Sequence, residues 1–116
     1  MRMDTEDLGP RLIKITLAGR LDTPGVDSIE TRFLATLVPN GNSAVIDMSQ
    51  VDFISSMGIR MLVSAARSLK VRQASLSLFG VQEQVSQILE LVSIGQMIHV
   101  CASEAEAQSA VRSSVA

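Results

Sequence analysis

The chain has 116 residues, 47% of them hydrophobic, and its three aromatic residues are all Phe; that suits one domain with a core of Leu, Ile, Val, Met and Ala that folds without disulfide or metal. Ten basic against twelve acidic side chains leave a formal net charge of −2, which excludes the cationic field that gathers nucleic acid, and a lone Cys101 excludes an internal disulfide. No apolar stretch approaches the roughly 20 residues that span a bilayer, and no charged start with an apolar run and cleavage site opens the chain, so a cytoplasmic protein without a membrane span is expected.

Met1 to Asp7 is a weak strand candidate, joined through the turn chemistry of Gly9-Pro10 to a clear one. From Arg11 to Ala18, Ile13, Ile15 and Leu17 alternate with Lys14 and Thr16, the period of a half-buried strand. Pro24 then stands near a helix start, and Val26, Ile29, Phe33 and Leu37 follow at spacings of three and four, predicting an amphipathic helix that ends before Pro39. Asn40 to Asn42 read as a polar turn, and Ala44 to Met48 as a central strand with Asp47 its one polar interruption. Beyond Phe53-Ile54, a second helix carries Ile59, Leu62, Val63, Ala66 and Leu69 on one face and Arg60, Arg67 and Lys70 mostly away from it, with Ser55 or Ser56 as its cap. Leu76 and Leu78 alternate with Ser75 and Ser77 in a further strand. Val81, Val85, Ile88, Leu89 and Val92 predict a third helix stopped by Gly95, and Met97 to Cys101 a last strand. Ser103 with Glu106 has the form of a capping box that opens a final, alanine-rich helix through about Val111. The order predicts an α/β fold in one domain over residues 1–116: a mixed sheet of about five strands, parallel in its later part, with about four helices packed on it.

The segment from Val51 to Val63 joins a buried strand to a helix. A serine there can accept from the first free amides of the helix, and Gly58 removes side-chain bulk from the first turn. The same position tolerates an added phosphate, because unpaired N–H groups and the positive end of the helix dipole face it. Capping and switching are compatible readings.

Two stretches carry a resemblance that spans nearly the whole chain. Gly19-Arg20-Leu21-Asp22 is similar to the Gly-x-Leu/Ile-Asp of the STAS domains, and Phe53-Ile54-Ser55-Ser56-Met57-Gly58-Ile59 to their Asp-Ser-Ser/Thr-Gly-Leu loop, above all in the bacterial anti-sigma-factor antagonists. The resemblance implies that Ser56 is the phosphorylated serine, with Ser55 a second acceptor. It implies two protein partners: an anti-sigma factor that is also a serine kinase of the histidine-kinase-like ATPase type, and a serine phosphatase. The unmodified form would bind the kinase and free the sigma factor, regulating transcription indirectly, with no enzyme activity and no cofactor. The acidic residue of the first stretch falls on Asp22. One departure is that Ser55 stands where the family usually has Asp, and Met57 where it has a small residue. That departure keeps open a constitutive STAS scaffold, or an accessory subunit of a transport or signalling assembly, in which Ser56 merely caps the helix.

Asp22 reads as a functional carboxylate or as a turn residue bonding nearby amides. Met57 and Met61 could line a partner groove beside the serine loop or belong to the core; with Asp22, Ser55, Ser56, Gly58 and Arg60 they make up the expected partner-binding set. Asp47 and Asp52 read as strand-end or turn aspartates rather than catalysts. His99 and Cys101 would share a sheet face, but two ligands fall short of a tetrahedral metal site, so a partly buried His and a structural Cys are expected. No triad surrounds the sole His, and no Gly-x-x-x-x-Gly-Lys loop is present.

Overall fold

The alternation of Ile13, Ile15 and Leu17 produces what period two demands: in the computed structural model, which describes residues 1–39 and 41–114, all three are buried on one face of strand β2 (Leu12–Leu21) while Lys14 and Thr16 are half-buried on the other. Strand β1 (Arg2–Gly9) pairs with it antiparallel, from Arg2↔Ala18 to Gly9↔Leu12. Pro10 and Arg11 make the turn, and Arg11 adopts a left-handed φ of 62° to close so short a loop.

Helix α1 (Thr23–Leu37) has its proline in the first turn and buries Val26, Ile29, Phe33 and Leu37 as their spacing predicts. Asn40, expected in the following turn, lies outside the described residues. Strand β3 (Ser43–Ile54) is longer than the Ala44–Met48 run, for it stays paired with β2 as far as Leu21↔Ile54 through two register shifts. The exposed Ser49 and Gln50 interrupt its apolar pattern but not its ladder, because the ladder is made by backbone groups. Then come helix α2 (Ser56–Val71), strand β4 (Leu76–Phe79), helix α3 (Glu83–Leu91), a 3-10 turn at Ile94–Gln96, strand β5 (His99–Cys101) and helix α4 (Glu104–Ser114).

The sheet order is β1-β2-β3-β4-β5, parallel from β2 onward, so the expected mixed sheet of five strands with four helices is the fold observed. One face packs against α1, α2 and α3 in the main core, which includes Ile15, Leu17, Phe33, Ile46, Leu62 and Leu89. The other is covered by α4 alone, whose Ala107 and Val111 sit on Leu12, Val45 and Phe79. The buried Ser77 hydroxyl donates to the Ala107 carbonyl at 3.0 Å, and Ser75 to that of Val111 at 3.4 Å. Half of the capping box forms: the Glu106 N–H donates to Ser103 Oγ, while Glu106 Oε2 reaches one residue past the cap and accepts from the Ala102 N–H, both at 3.2 Å. No described helix is long and apolar enough to cross a membrane.

Candidate functional site

Leu21 ends β2 and Ile54 ends β3, and the two are paired in register, so α1 and α2 begin side by side at the carboxyl ends of adjacent parallel strands. Both helices are started the same way. Asp22 is the N-cap of α1, its Oδ1 accepting from the Gly25 N–H at 2.9 Å; Ser55 is the N-cap of α2, its Oγ accepting from the Gly58 N–H at 3.3 Å. Each glycine lets its helix abut the strand before it. A Cβ on Gly25 would lie 2.0 Å from the Arg20 carbonyl oxygen, and one on Gly58 would lie 2.9 Å from Ile54 Cγ1 and 3.0 Å from the Leu21 carbonyl oxygen.

The two starts are joined through one atom. The Leu21 carbonyl accepts both the Ser55 N–H at 2.8 Å and the Ser55 hydroxyl at 2.9 Å. Ser55 is half-buried, and its hydroxyl both donates and accepts. Ser56, the first residue of α2, is exposed, and its hydroxyl has no hydrogen-bond partner among the described residues. Beside them the Arg20 guanidinium lies 3.4 Å from Asp22 Oδ2 and 4.3 Å from the centre of the half-buried Phe53 ring. The Gly25 amide, and after it Arg20, hold the Asp22 carboxyl below the usual carboxylate range.

The structure brings Asp22, Ser55, Ser56, Met57 and Arg60 to one end of the sheet. Asp22 bonds the Gly25 amide through Oδ1, and its Oδ2 faces Arg20. Met57 is half-buried against the main core and Arg60 is exposed. Two residues of the expected partner-binding set are not on the surface: Gly58 is buried where α2 abuts Leu21, and Met61 is fully buried. The buried face of α2 is Gly58, Met61, Leu62, Ala65, Ala66 and Leu69, so the helix is rotated toward Met61, and Ile59 and Val63 become its half-buried flanks.

Away from the loop, Asp47 lies within β3 rather than near its end and accepts from the Ser49 N–H at 2.9 Å, and Asp52 is exposed. His99 and Cys101 do share a face, opposite Ser77 and Phe79, but His99 is exposed rather than partly buried because β5 is an edge strand of three residues. The Cys101 thiol is half-buried, and burial, with Glu106 nearby, pushes its pKa up. A cavity of about 400 Å³ between α3, the 3-10 turn and β5 shares no lining residue with the serine loop. Sequence reasoning missed the stacking of Arg20 on Phe53 and the close approach at Gly25. The signals were there, Arg20 in one landmark, Phe53 in the other, and a glycine three residues after Asp22 just as Gly58 follows Ser55.

Comparison with known proteins bears on the fold and the family. The chain is 28% identical over 94 residues to the anti-sigma-B factor antagonist of Listeria monocytogenes, covering 81% of this chain and 82% of that one. Its fold matches that of the anti-sigma factor antagonist SpoIIAA in its unphosphorylated form, with a TM-score of 0.79 at 19% identity over 97% of both chains. It also matches the Bacillus cell fate determinant SpoIIAA in the phosphorylated form, with a TM-score of 0.71 at 20% identity over 96% of this chain and 100% of that one. The family model of the STAS domain matches residues 6–107, a span that holds both helix starts and the whole parallel sheet, and the chain belongs to the STAS domain family.

Proposed function

We propose that the chain is an anti-sigma-factor antagonist, a cytoplasmic binding module rather than an enzyme, switched by phosphorylation of Ser56. In this reading the unmodified form holds an anti-sigma factor that is also a serine kinase of the histidine-kinase-like ATPase type. Holding it frees a sigma factor, and a serine phosphatase resets the switch. The observation that carries the reading is the division of labour at the start of α2: Ser56 is exposed with an unengaged hydroxyl, beside a Ser55 whose hydroxyl is committed to the fold.

A phosphate on Ser56 adds about −1.5 to −2 charges at the surface formed with Asp22, Met57 and Arg60. It meets first-turn amides that no intrahelical carbonyl serves, so the helix accommodates it. The anchor at Ser55 is untouched, and the modification alters what a partner meets without refolding the loop. Ser55 is the poorer acceptor, since modifying it would break its bonds to Leu21 and Gly58. The usual Asp at this position and the Ser55 found here cap a helix about equally well, so the departure leaves the helix start sound.

The test is intact-mass measurement and peptide mapping after incubation with ATP and lysate of the source organism, wild type against Ser56→Ala. One phosphate on the peptide carrying Ser56, absent from the variant, is the expected result. A protein that stays unmodified while holding a stable partner would overturn the switch and favour a constitutive scaffold or accessory subunit.

A further inference from the structure

We infer that a phosphate on Ser56 is held by the Arg60 side chain of the same helix, so that phosphorylation withdraws a cation from the outer face of α2 as well as adding negative charge. The inference rests on Ser56 being the modified residue. Ser56 and Arg60 are four residues apart in α2 and both are exposed. On a helix that spacing puts the two Cβ atoms about 5–6 Å apart on one face, and an anion four residues N-terminal to a cation is the favourable order. The guanidinium fork matches phosphate oxygens two at a time, a geometry that lysine lacks.

Competing partners are few. Arg20 is already engaged, 3.4 Å from Asp22 Oδ2 and over Phe53. Arg67 and Lys70 lie on the same helix, but roughly 16 and 21 Å further along its axis than Ser56. The other charges at this end of the sheet are Asp22, paired with Arg20, the exposed Asp27 and Asp52, the Met1 amino group beside Gly19, and Arg2, which lies opposite Ala18 and is paired with Asp4. Helix α2 contains no acidic residue, and among the described residues none of Arg60, Arg67 and Lys70 forms an ion pair. Arg60 is therefore uncommitted before modification and within reach after it. The unmodified helix offers three outward cations to a partner; the modified one offers two, beyond a neutralised end.

The experiment places phosphoserine at position 56 of the full chain by genetic encoding and follows the second ionisation of the phosphate by phosphorus NMR. Arg60→Gln is expected to raise that pKa by about 0.15–0.4 unit, the equivalent of one surface pair. Lys70→Gln should leave it in place, Arg60→Lys should restore part of the shift, and molar salt should shrink it. Equal values for wild type and Arg60→Gln, or equal shifts from Arg60→Gln and Lys70→Gln, would overturn the pairing. Because no kinase is used, a failure here leaves the proposed switch standing, and failure of lysate phosphorylation leaves this measurement standing.

Discussion

Ser55 and Ser56 are adjacent, yet only one hydroxyl is tied into the fold. Replacing Ser55 by Ala removes the N-cap and the bond to the Leu21 carbonyl, and is expected to lower stability by about 1–2 kcal/mol. Ser56→Ala should stay within about 0.5 kcal/mol of wild type, as surface changes do. Urea midpoints of the two variants, at unchanged slope, check this; equal losses would mean that the cap had been assigned to the wrong serine. The sequence alone could not choose between them. Both stand at a strand–helix join, and what decides is where the backbone pairing of β3 with β2 stops, at Leu21↔Ile54. Asp22 was half-legible for a similar reason: its residue type announces a turn or a cap, but only the fold shows which amide it accepts.

At the scale of the element, each helix of the site is seated by a missing side chain. Gly58→Ala must push its Cβ against Ile54 and Leu21, an overpacking that costs about 1–3 kcal/mol. In Gly25→Ala the new Cβ falls on the Arg20 carbonyl itself, which is backbone and cannot swing aside, so the loss should be larger. Met61→Ala is expected to cost about 2–5 kcal/mol as a buried truncation, and the half-buried Met57 less. Denaturant melts of the four variants rank them; a Met61→Ala as mild as Met57→Ala would contradict the rotation of α2. That rotation was hidden in the sequence because Ile59 with Val63 and Met61 with Ala65 are both apolar sets, and periodicity cannot tell which set turns inward. Helix α1 has a single apolar stripe and was read correctly. The second half of β3, Ser49 to Ile54, was missed because Ser49 and Gln50 break its pattern while the neighbouring strand keeps its backbone paired.

For the whole molecule, the alternation of strands and helices made the α/β class and the parallel portion legible, but not which helix lies on which face. The asymmetry it could not reveal is three helices on one side and α4 alone on the other. Beyond Ala107 and Val111, α4 is held by the Ser75 and Ser77 hydroxyls and by Lys14, whose ammonium lies 2.8 Å from Glu104 Oε1. Its amides should exchange hydrogen faster than those of β2, β3 and β4, and Ser77→Ala should speed exchange in α4 while leaving α1 and α2 unchanged. A uniform rise across all four helices would instead mean that α4 opens only with the whole fold. The open sheet also has two rims. One is β1, where Arg2, Asp4, Glu6 and Asp7 are all exposed; the other is β5, only three residues long. A charged rim and a stub are both poor templates for a further strand. Concentrated protein therefore has no ready route to edge-to-edge fibres.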